Sequence, residues 1–101
     1  MSARIANIKK AVEEHAGCAA THRESAPVTE GYLVQIMWEG VVEVFDLDGH
    51  PKAKRAYGWQ FWEGKSAQYT VVLGIPPVDS PNAAVRASIA AEAQQMQRNS
   101  Q

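Results

Sequence analysis

The chain has 101 residues, 46 % of them hydrophobic and 21 % charged, with one cysteine. Those values suit one globular domain and exclude a disordered chain, a collagen-like repeat and a disulfide-stapled scaffold. Ten Lys and Arg against eleven Asp and Glu give a net charge of −1, without the basic excess of a general nucleic-acid binder.

The N-terminal residues lack the continuous apolar core of a secretory leader, and the longest apolar runs, such as Val71-Val72-Leu73, are far too short to span a membrane. A cytoplasmic location is expected, compatible with the single cysteine. The first periodic element covers residues 3–16. There Ile5, Ile8 and Val12 line one helical face, Ser2 stands at the N-cap and Gly17 at the C-terminal stop. Residues 17–27 read as a connecting segment closed by Pro27.

From there the period changes from 3.6 to 2, and strands are expected over about 28–38, 41–47, 53–62 and 67–75. Glu39-Gly40 supplies a two-residue hairpin turn. The competing reading puts the turn nearer Leu33–Gln35, with Gly40 a bulge inside one long strand. Asp48-Gly49-His50-Pro51 is a turn under either reading. Pro76-Pro77 ends the last strand, and Ser80-Pro81 opens a second helix over about 81–96, with Val85, Ile89 and Met96 on its stripe. Residues from Gln95 onward are polar and expected to fray. The fold class is therefore α+β: an antiparallel sheet of three to four strands flanked by N- and C-terminal helices, in one domain.

Alternation assigns Phe45, Tyr57, Trp59, Tyr69, Val71 and Leu73 to one face, expected to lie under both helices. The opposite face then collects Leu33, Met37, Val42, Val44, Trp62 and Val72 with nothing left to cover it. An uncovered apolar surface of that kind reads as a docking face. The partner expected is a second copy of the chain or another protein, since symmetric pairs are the commonest oligomers.

A second reading is nucleic-acid binding. Lys52, Lys54, Arg55 and Lys65 lie near Tyr57, Trp59, Phe61 and Trp62, and single strands are held by phosphate pairing and base stacking. The element order α-β-β-β-α is also similar to that of the double-stranded-RNA-binding domain. That resemblance implies a run of lysines opening the last helix, whereas residues 80–86 hold one basic residue, Arg86. Catalysis ranks third. His15, Cys18 and His22 have metal-like residue types but lack a fourth ligand. Asp46, Asp48 and His50 fit turn chemistry better than a calcium loop. Neither a phosphate loop nor a nucleophile elbow is present, and no cofactor or metal is expected.

Overall fold

The computed structural model describes residues 2–32 and 34–99, with Tyr32 and 96–99 described by backbone alone. Six elements follow in order: α1 (Ala3–Ala16), β1 (Ala19–Tyr32), β2 (Gln35–Asp48), β3 (Arg55–Glu63), β4 (Ser66–Leu73) and α2 (Pro81–Asn99). The strands form one antiparallel sheet in the order β1-β2-β3-β4, so the fold is α+β and each strand lies beside its neighbours in sequence.

Local chemistry sets the helix ends. The Ser2 hydroxyl accepts the Ile5 N–H at 3.1 Å, and Gly17, at φ 72°, returns its own N–H to the Glu13 carbonyl. At α2 the Ser80 hydroxyl accepts the Ala83 N–H at 3.1 Å, with Pro81 as the first helical residue. α2 continues to Asn99, beyond the expected 96. The Met96 side chain lies outside the described residues.

Two expectations about the first hairpin are corrected. Residues 19–27 are strand, not connector, and β1 gives way to β2 between Tyr32 and Gln35, where the competing reading put the turn, not at Glu39-Gly40. Glu39 and Gly40 instead lie within β2, opposite Thr29 and Val28. Gly40 is not a bulge. The register shifts sit at His22/Glu24 and at Glu30/Gly31, where β2 carries Met37 as the extra residue. β1 is an edge strand, so it needs no alternating apolar pattern and tolerates Pro27, which disguises it in sequence.

The helices also divide differently from the expectation. α1 covers one face, where Ile8 and Val12 join Ala20, Phe45 and Ala56. α2 covers the other, where Ala84 and Val85 join Val28, Val42, Val44, Tyr57 and Trp59. Val44 lies opposite Tyr57 and Phe45 opposite Ala56, so β3 alone is displaced by one residue: Phe45, Tyr69, Val71 and Leu73 share a face as expected, while Tyr57 and Trp59 join Val44 and Val72 on the other. A one-residue change of register exchanges the two faces, and the sequence does not display it.

The sheet is widest at one end. β1 pairs with β2 along nearly their whole length, and β3 with β4 likewise. Between the two hairpins, pairing covers only Glu43↔Gly58 to Asp46↔Arg55. Beyond Glu43 the hairpins part. On the α2 side Trp38 and Trp59 meet across this opening, edge to face, with ring centroids 5.4 Å apart.

Candidate functional site

Glu43 is the one charged side chain among the buried residues described, fully enclosed between the sheet and α1. Its Oε2 accepts from Arg4 at 2.8 Å. Its Oε1 lies 2.8 Å from His22 Nε2 and also accepts the Ser25 hydroxyl. Burial is the largest single influence on this carboxyl and pushes its pKa up. The hydrogen bonds from Ser25, His22 and Arg4 together outweigh it and hold the pKa below the ordinary 4.5. The cluster joins α1, β1 and β2 through one carboxylate. Sequence reasoning missed it. The available signal was a lone charge inside Val41-Val42-Glu43-Val44-Phe45, at a core-facing position.

The six residues expected to form one open face are not brought together. Val42 and Val44 are 0 % and 1 % exposed beneath α2, and Val72 packs half-buried against the same cluster. They are core, because α2 occupies the face that was expected to be bare. Leu33 lies outside the described residues. Met37 and Trp62 are exposed, at 53 % and 64 %, on different hairpins. Ile36, Val41 and Phe61, which the expected docking face did not include, are exposed as well. Val41 continues the Glu43–Phe45 side of β2, and Trp62 continues the Gly58–Gln60 side of β3, so both face the α1 side beyond the helix start.

Met37 reaches the α2 side, where a cavity of about 270 Å³ is lined by Glu30, Met37, Arg86, Ile89 and Ala93. Glu30 closes its polar wall by accepting from Asn82 at 2.7 Å and Arg86 at 3.1 Å. A second groove, about 480 Å³, runs beside β4 between His15 and the small residues Ala87, Ser88 and Ala91.

The basic set is split. Lys52, Lys54 and Arg55 stand where β3 begins and Lys65 follows its end, roughly 27 Å away at about 3.4 Å per strand residue. Arg55 and Arg23 both face Asp46, at 3.5 and 3.3 Å. Tyr57 and Trp59 are buried and offer no ring to a base. His50 Nδ1 accepts the N–H groups of Lys52 and Ala53, which is turn chemistry. His22 is taken by Glu43, and His15 lines the β4 groove. Among the described residues no three His, Cys, Asp or Glu side chains are grouped to hold a metal ion, and no helix is long and apolar enough to cross a membrane. No known protein family, curated protein or solved structure matches this chain.

Proposed function

We propose that the protein is a small non-catalytic interaction module of the cytoplasm that associates with a second copy of itself. One observation carries this reading: large apolar side chains stand exposed on the parted hairpins, with Ile36 at 60 % and Trp62 at 64 %. Large apolar side chains exposed to water are a cost unless something covers them, and Trp is enriched among the residues that anchor interfaces. The only buried polar cluster described is fully satisfied and structural, which leaves surface recognition as the chemistry on offer.

Size-exclusion chromatography with light scattering tests it. Wild type is expected at twice the chain mass at tens of micromolar, and Trp62→Asp is expected to shift the population toward monomer with unchanged circular dichroism. A wild type that stays at one chain mass throughout contradicts self-association.

A further inference from the structure

Resting on the self-association reading, we propose that the free edge of β4 is where two copies pair, antiparallel and two-fold, joining their sheets into one. The two outer strands of the sheet are built differently. β1 carries Arg23, Glu24, Pro27 and Glu30 and two register shifts, all devices that blunt an edge against pairing. β4 reads Ser66-Ala67-Gln68-Tyr69-Thr70-Val71-Val72-Leu73, with no charge and no proline, and its register with β3 runs unbroken from Ala56↔Leu73 to Glu63↔Ser66. It is the unguarded edge.

The direction of its backbone groups follows from two hydrogen bonds. Gly74 N–H donates to the Arg55 carbonyl at 2.7 Å, and on the other side of β3 Leu47 N–H donates to the Lys54 carbonyl at 2.9 Å. Hydrogen-bonded pairs alternate along an antiparallel ladder, so Gln68, Thr70 and Val72 bond inward to β3. Ala67, Tyr69, Val71 and Leu73 then turn their N–H groups outward, with no strand beyond them among the described residues. The Leu73 carbonyl already accepts from Ile75 N–H at 2.9 Å.

This edge is complementary to itself. In the register centred on Thr70, Tyr69 lies opposite Val71 of the second copy and Ala67 opposite its Leu73. Every outward residue meets an outward residue, giving about six inter-chain hydrogen bonds at two per bonded pair once the engaged Leu73 carbonyls are set aside. Because the strand is uncharged, no like charges face each other, and an aromatic ring lies across from a β-branched side chain, a favoured cross-strand pair. Ala67 is the β4 partner of Trp62, and its small side chain lets Trp62 reach over it toward Leu73 of the second copy. On the α2 side Ala87, Ser88 and Ala91 leave the open groove that a neighbouring sheet needs.

Thr70 is the residue that would face its own copy, as a non-hydrogen-bonded pair with Cα atoms about 4.5 Å apart, within disulfide reach. In a Cys18→Ser background, Thr70→Cys is expected to form a covalent dimer under mild oxidation, while Gln68→Cys, facing Val72 of the second copy, does not. Tyr69→Pro removes one outward N–H without touching the β3 bonds and is expected to halve the wild-type mass at the same concentration. If wild type is dimeric but Thr70→Cys fails to cross-link, the β4 edge is overturned and self-association stands. If wild type is monomeric at every concentration, both fall.

Discussion

Glu43 shows how much one buried charge can depend on its neighbours. Arg4, His22 and Ser25 reach it from α1 and β1, and Phe45 lies edge-on to the His22 ring at 5.4 Å. Arg4 keeps 43 % of its side chain exposed and His22 21 %, so loss of the carboxylate leaves polar groups that can rehydrate. Glu43→Ala is therefore expected to cost about 2–3 kcal/mol, less than the roughly 3–5 of a fully enclosed pair, measured by urea unfolding. The pH dependence has a definite sign. A carboxyl lowered in the folded state gives stability that is complete above the ordinary 4.5 and lost as pH falls through the lowered value. Thermal midpoints of wild type should fall across that acid window, and Glu43→Gln should flatten the fall. Caps at Ser2 and Ser80 were legible in sequence because capping is local. The Glu43 cluster was not, because its partners lie 18 to 39 residues away.

At the scale of elements, Gly58 marks where α1 meets the sheet. A Cβ there would stand 2.9 Å from Ile8 Cγ2 and 3.3 Å from Val12 Cγ2, both on β-branched side chains with little freedom to move. Gly58→Ala should lift the helix and cost about 1–3 kcal/mol, and the penalty should shrink in an Ile8→Ala background when the two are compared by a double-mutant cycle. Val44→Asp separates core from surface. It buries an unpaired carboxylate beneath α2 and is expected to unfold the protein at neutral pH by circular dichroism, whereas Trp62→Asp leaves the fold intact. Both helices, β3 and β4 were readable from periodicity. β1 was half hidden, since an edge strand rich in charge with a proline and bulges has no pattern of period two to read. The hairpin turn moved with it, because Glu39-Gly40 mimics turn chemistry while pairing within the strand.

For the molecule as a whole, the 46 % hydrophobic content is spent on two cores, one on each side of a single sheet. Apolar residues on both faces suggested an uncovered surface in sequence, and α2 accounts for Val42, Val44 and most of Val72. What remains open is the parted hairpins and the outer edge of β4, with the groove beside it between the two helices. Strand composition could show that both faces were apolar, but it could not show which helix covered which face. That depends on register and on the path of the chain from Leu73 to Ser80. Self-association gathers the exposed Trp62 and the uncharged edge into one account. Sedimentation equilibrium of the wild-type chain over a hundredfold concentration range tests it most directly: a mass rising to twice that of the chain is expected, and a single-chain mass at every concentration would contradict it.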